Sequence, residues 1–113
     1  MTGQNSPESA WTYDHFLGFL LLYASHADLD YSENERNHIL TQVNKMILSE
    51  VEMRFEQMTD YAQLDLILKL KEKFIHNTAD KEKVLKILHD HFFSDGEFSR
   101  LENALYTFLN KLL

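Results

Sequence analysis

Cysteine is absent from the 113 residues, and there are only one proline and three glycines. Without cysteine there is no disulfide, no thiolate zinc site and no thiol nucleophile, and the chain suits a reducing compartment. So little proline and glycine leaves few of the turn residues that hairpins need, which argues against a β-rich fold. The glycines are scattered, so neither a P-loop nor a G-x-G-x-x-G turn exists. A G-x-S-x-G elbow and an H-E-x-x-H helix are also missing. Long apolar runs are missing too: the longest, Phe16 to Ala24, is nine residues, whereas a membrane span takes about 20. Positive charge is in short supply. Eleven Lys and Arg stand against 18 Asp and Glu, for a net charge of −7 with histidine neutral. That balance argues against nucleic acid as a partner. Met1 to Ala10 is polar and lacks the apolar centre of a signal peptide. The expected location is the cytoplasm, without membrane insertion, and the expected partners are other proteins.

What is present is material for a core. Apolar residues make up 44% of the chain and include eight Phe, enough for one domain of this length. Residues 1–9 read as a disordered lead-in and 10–113 as a single helical domain. A first helix is expected from about Trp11 to Ala27, apolar on most sides and therefore central. A second is expected from Glu33 to Leu48, with Ile39, Leu40, Val43, Met46 and Ile47 at helical spacing. Ser49 with Glu52 reads as a capping box opening a short third helix to about Gln57. Thr59 or Asp60 caps a fourth that runs to about His76. Asn77 and Thr78 start a fifth, in which Val84, Ile87, Leu88, His91 and Phe92 fit the i, i+3, i+4, i+7, i+8 template. Ser99 opens the last, with Leu101, Leu105, Phe108, Leu109 and Leu112 facing inward. The fold class is all-α, about six helices in a compact bundle. Leu20, Leu21, Leu88, Phe92, Leu105 and Phe108 are expected in the core.

The chain also repeats itself. Asp28-Leu29-Asp30-Tyr31-Ser32-Glu33-Asn34-Glu35 aligns with Asp95-Gly96-Glu97-Phe98-Ser99-Arg100-Leu101-Glu102 at a constant offset of 67. Asp, Ser and Glu are identical at the first, fifth and eighth places. The preceding helices align as well, with Leu17 over Val84, Leu20 over Ile87 and Leu21 over Leu88. The unit is a helix, an acidic loop, an aromatic residue and a capped helix, used twice. It implies two helical hairpins related by approximate symmetry.

Two readings of the acidic loops stand side by side. Each brings three carboxylates together: Asp28, Asp30 and Glu35, then Asp95, Glu97 and Glu102. Hard cations such as Ca²⁺ or Mg²⁺ take oxygen ligands, and clustered carboxylates raise their affinity. The D-x-D-x-S spacing matches the start of an EF-hand, but the bidentate Glu and the turn Gly of that motif are replaced by Ile39 or Tyr106 and by Glu33 or Arg100. An EF-hand is therefore excluded. The other reading is capping alone. Ser32 with Glu35, and Ser99 with Glu102, form capping boxes, the acids suit the helix dipole, and Tyr31 and Phe98 act as hydrophobic staples.

Ser94-Asp95-Gly96-Glu97-Phe98-Ser99-Arg100-Leu101-Glu102 resembles the loop of the TerB-like (tellurite-resistance) family of small helical domains. Ala27-Asp28-Leu29-Asp30-Tyr31-Ser32-Glu33-Asn34-Glu35 resembles it too, except that Leu29 stands where Gly is usual. The resemblance covers about Phe16 to Leu113. It implies an all-helical fold with duplicated hairpins, a link to stress responses, and no established catalytic mechanism. It also implies divalent-metal binding, carried here onto Asp28, Asp30, Glu35, Asp95, Glu97 and Glu102.

Other constellations read as structural. His91 and Asp95 are i, i+4, a spacing that shares a metal when the helix extends that far, but core-edge histidine is the plainer reading. Lys69, Lys71, Lys73, Lys81, Lys83 and Lys86 are interleaved with Glu72, Asp80 and Glu82, as on a solvated face. Met46, Met53 and Met58 are expected as core filler. No catalytic motif is found, and the chain is expected not to be an enzyme.

Overall fold

The computed structural model describes residues 7–27, 31–92 and 100–113. After a 3-10 turn at Pro7–Ala10 come six helices: α1 Tyr13–Ala27, α2 Glu33–Ile39, α3 Lys45–Glu56, α4 Asp60–Phe74, α5 Thr78–Phe92 and α6 Arg100–Leu112. Among the described residues there is no strand. The bundle is all-α, as the glycine and proline shortage and the helical periodicities require.

α1 is the axis of the molecule. Phe16, Leu17, Phe19, Leu20, Leu21, Leu22 and Ala24 are all buried, so the helix is covered on nearly every side. α2, α3, α4 and α5 each pack against it, and α6 packs on α5. Phe19 is the aromatic hub. Its ring centroid lies 5.7 Å from Trp11 and 5.5 Å from Phe55. Phe16 stacks on Phe74 at 5.9 Å, tying α1 to the end of α4.

The expected second helix is two helices. α2 stops at Ile39, and Asn44 caps α3 by accepting from the Ile47 amide at 2.8 Å. The break has a packing reason. Ile39 and Val43 are buried, and so are Leu48, Val51 and Phe55. An unbroken helix would continue the first pair through positions 46, 47 and 50. The interruption resets the phase so that both sets face α1. Ser49 consequently sits inside α3, exposed, and caps nothing.

The later caps follow the sequence. Thr59 accepts from the Ala62 amide at 3.1 Å. Asn77 accepts from the Asp80 amide at 2.8 Å, while the Asp80 carboxylate reaches back to the His76 amide. α4 ends at Phe74, two residues early, where Ile75 turns extended. Two residues of the lysine stretch serve the fold: Lys71 donates to the Leu112 carbonyl at 2.8 Å and Lys73 to the Trp11 carbonyl at 3.0 Å.

Four expectations about the core change. Leu20, Leu21, Leu88 and Phe92 are buried as expected, but Leu105 is half-buried and Phe108 is 43% exposed. α6 packs chiefly against α5, so only a narrow stripe of it is covered. Met46 and Met53 are exposed on α3, and only Met58 packs on the core. The lead-in also contributes earlier than expected: Glu8 is buried and accepts from Arg54 Nη2 at 3.1 Å.

Candidate functional site

Of the six acids singled out in the sequence, Asp28, Asp30, Asp95 and Glu97 lie outside the described residues, as do Phe98, Ser99 and the two loops of the repeat. Glu35 and Glu102 are described, and both are buried. Half of the first capping box is made: Ser32 Oγ accepts from the Glu35 amide at 3.2 Å. The Glu35 carboxylate turns inward, with Oε2 2.7 Å from His91 Nε2. Among the described residues no group of three or more His, Cys, Asp or Glu is arranged to hold a metal ion.

His91 is the centre of a buried polar network that spans three helices. It is wholly inaccessible, as is Ser25 on α1. Ser25 Oγ lies 2.6 Å from His91 Nε2, and His38 Nδ1 of α2 lies 2.8 Å from His91 Nδ1. Two ring nitrogens at that distance share one proton, one donating and the other accepting. Glu35 Oε2 is close to Nε2 but makes no hydrogen bond. Ser, His and an acid together invite comparison with a nucleophilic triad. In a triad the serine and the acid occupy opposite ring nitrogens. Here both crowd the same one, and the hydroxyl is sealed from solvent. The network ties α1, α2 and α5 together.

An open site lies at the other side of the end of α1. Tyr23, His26 and Ala27 of its last turn, Phe55 of α3, and Asp60 and Gln63 of α4 line a cleft of about 420 Å³. The His26 ring is held between two aromatic rings, with centroids 4.8 Å from Tyr31 and 4.7 Å from Phe55. Tyr31 is fixed in turn by Glu52, whose Oε2 accepts its hydroxyl and the Arg36 Nε proton. Arg36 Nη2 completes a two-pronged bond to Glu52 Oε1 at 3.1 Å. The floor is Gln63, 5% exposed. Its amide nitrogen donates to the Phe55 and Met58 carbonyls at 3.1 and 3.2 Å. Both carbonyls lie at or just past the end of α3, and the bonds fix which end of the amide is which.

The local electrostatics follow from these neighbours. Burial, then the charge of Asp60, raises the Tyr23 phenol above its usual value, so it stays protonated. Burial lowers His26 below 6.5 and outweighs the opposing pull of Glu56 and Glu52. Burial and then His91 likewise lower His38, against Glu35 and Asp90. Burial alone would raise Glu52, but the Arg36 and Tyr31 hydrogen bonds outweigh it and hold the carboxyl below 4.5.

These directions set a pH profile for stability. A histidine whose folded pKa is lowered gives the unfolded chain the greater proton uptake, so its contribution is present above about pH 6.5 and is lost as pH falls. The Glu52 contribution is present above about pH 4.5 and is lost as pH falls through its folded value. Urea midpoints are expected to be level above about pH 7, to decline on going from about pH 6.5 to 5, and to decline again below about 4.5. A midpoint that stays constant between about pH 7 and 5 contradicts the assignment of His26 and His38.

No family model, curated protein or solved structure matches the chain. The TerB-like resemblance therefore rests on the two loop motifs alone. No described helix is long and apolar enough to cross a membrane.

No spacing in the sequence joins the residues of the cleft or of the buried network. His91 was legible as a member of the α5 stripe, and Glu35 as an N-terminal acid of α2. A signal for the network existed in Ser25, a polar residue inside the most apolar helix. Its partner is 66 positions away.

Proposed function

We propose that this chain is a non-catalytic helical interaction module that docks a partner protein at the cleft between α1, α3 and α4. The observation that supports this reading is the cleft itself. It is an aromatic-walled opening over a buried amide, with side chains already fixed by hydrogen bonds and ring stacking. Protein interfaces concentrate their energy in such preformed pockets, lined by aromatic residues and a few polar groups. The wall residues are positioned without a partner: Glu52 holds Tyr31, Tyr31 and Phe55 hold His26, and the α3 carbonyls hold Gln63. Little ordering remains to oppose binding.

Tyr61 follows the cleft residue Asp60 in α4 and is 83% exposed. A benzophenone amino acid placed at position 61 is expected to cross-link a discrete partner in cells. The same group at Lys86, a solvated position on α5, is expected not to. Tyr23→Ala in the position-61 variant should abolish the product while circular dichroism stays unchanged. Equal products from both positions, or none from position 61, would overturn the docking reading.

A further inference from the structure

Met46 and Met53 suit the core by composition, yet they are 79% and 65% exposed. They lie one heptad apart on α3, and Glu50 and Gln57 share their face at helical spacing. Glu50, Met53 and Gln57 join Trp11 and Arg54 in lining a second pocket, of about 150 Å³. None of these five residues lines the cleft.

This pocket carries unmet donors. Trp11 is 3% exposed, and its ring is fixed by stacking on His15 at 5.4 Å and by Phe19 at 5.7 Å. Its Nε1 proton is buried and meets no acceptor among the described residues. The same holds for Arg54 Nε, although Nη2 of that guanidinium donates to Glu8 Oε1 at 3.1 Å and Nη1 to Gln57 Oε1 at 3.4 Å. A buried donor without an acceptor carries its full desolvation cost. Two of them on the residues of one pocket call for an occupant that accepts. The charged groups of the lining already have partners: Arg54 pairs with Glu8, and Glu50 contacts His15 at 3.2 Å. The occupant is therefore uncharged. An indole and a thioether make up the apolar wall, which suits an apolar group.

We infer that this pocket receives an apolar residue of a peptide segment, whose carbonyl accepts from Trp11 Nε1 and Arg54 Nε. A carbonyl oxygen has two lone pairs and serves both donors at once. A bare hydrocarbon would leave them unmet, and a carboxylate would bring its charge beside Glu8 and Glu50. The volume is well below the ~300 Å³ at which drug-sized sites begin, and it suits one branched side chain with its peptide group. Met53 supplies the way in. Its side chain has three rotatable bonds and is exposed, so it turns aside to uncover what it lines, the property that makes methionine surfaces adaptable to peptides.

The test uses the full chain labelled with ¹⁵N. Trp11 is the only tryptophan, so one indole N–H signal reports the site. Three blocked tripeptides, Gly-Leu-Gly, Gly-Gly-Gly and Gly-Glu-Gly, are titrated to about 20 mM, above the millimolar constants that contacts this small reach. The leucine peptide is expected to move the indole proton downfield and saturably, as a new hydrogen bond does, and the other two to leave it in place. Met53→Ala is exposed and helix-compatible, and it should weaken the leucine peptide about fivefold, the loss that marks an important contact. Tyr61→Ala, on α4, should leave binding unchanged. Equal shifts with the leucine and triglycine peptides would overturn the apolar assignment, and equal shifts with the glutamate peptide would overturn the uncharged one. Leucine binding that leaves the indole proton in place would remove the carbonyl contact and the inference with it. The inference also fails if no peptide binds, or if Met53→Ala and Tyr61→Ala have equal effects.

Discussion

Phe19→Ala is expected to cost about 3–5 kcal/mol of unfolding free energy, read from urea denaturation. The ring is inaccessible and is held between Trp11 and Phe55. Its removal subtracts both the transfer free energy of the side chain and the contacts of the cavity it leaves. Collapse around that cavity is hard, because the neighbours belong to three separate segments: the approach to α1, α1 itself and α3. Phe108→Ala gives the contrast. Phe108 reads as an inner residue of α6 from spacing alone, yet it is 43% exposed. Its truncation is expected to cost less than about 1.5 kcal/mol, well below a full core deletion. A Phe19 loss below about 1 kcal/mol, or a Phe108 loss equal to it, would mean that the hub is misplaced.

His91→Leu is expected to be similarly severe, about 3–5 kcal/mol, for a different reason. The leucine is comparably apolar in volume, so the cost is not a cavity. It comes from leaving the Glu35 carboxyl and the Ser25 hydroxyl in the interior without the group they face. A buried polar or charged group whose partner is deleted keeps its full desolvation penalty. The discriminating measurement is the double variant His91→Leu with Glu35→Leu. Replacing both members of a buried pair by apolar residues is often neutral, so the double variant should recover most of the loss. The coupling energy from that cycle is expected to exceed about 1 kcal/mol. Additive losses would show that His91 and Glu35 do not act on each other.

The helical character of the chain was open to inspection in its sequence, and so were several helix ends. Thr59 and Asn77 cap the helices that they seemed to cap, because a cap is a contact within four residues and is written where it acts. The Ser49–Glu52 signal misled for the same reason. The motif was intact, but Asn44 offered an equally good cap five residues earlier, and only packing against α1 chose between them. The methionines show the limit of periodicity. Met46 and Met53 fit an apolar pattern but face solvent, because a pattern gives the relative direction of side chains and not which side receives a neighbour.

The candidate site was legible in its pieces and not as a site. Tyr23, His26, Phe55, Asp60 and Gln63 come from three helices, and no spacing rule joins them. The buried network was equally hidden: His38 and Ser25 reach His91 across separations of 53 and 66 residues. Glu35 was visible as an acid near a helix N-terminus, where either solvent or a cation would have suited it. The direction that it takes is settled by the histidine that α5 brings alongside.

By itself the sequence determined that the chain is helical and which residues are apolar enough to demand cover, because helical propensity and amphipathic spacing act over a few residues. Only the tertiary structure decided which polar groups are buried with them and which aromatic rings are left around an opening. Those outcomes depend on phase, on where α2 breaks so that α3 can turn its own face to α1, and on which helix ends meet. Such meetings are contacts between distant segments, and the sum of local preferences does not contain them.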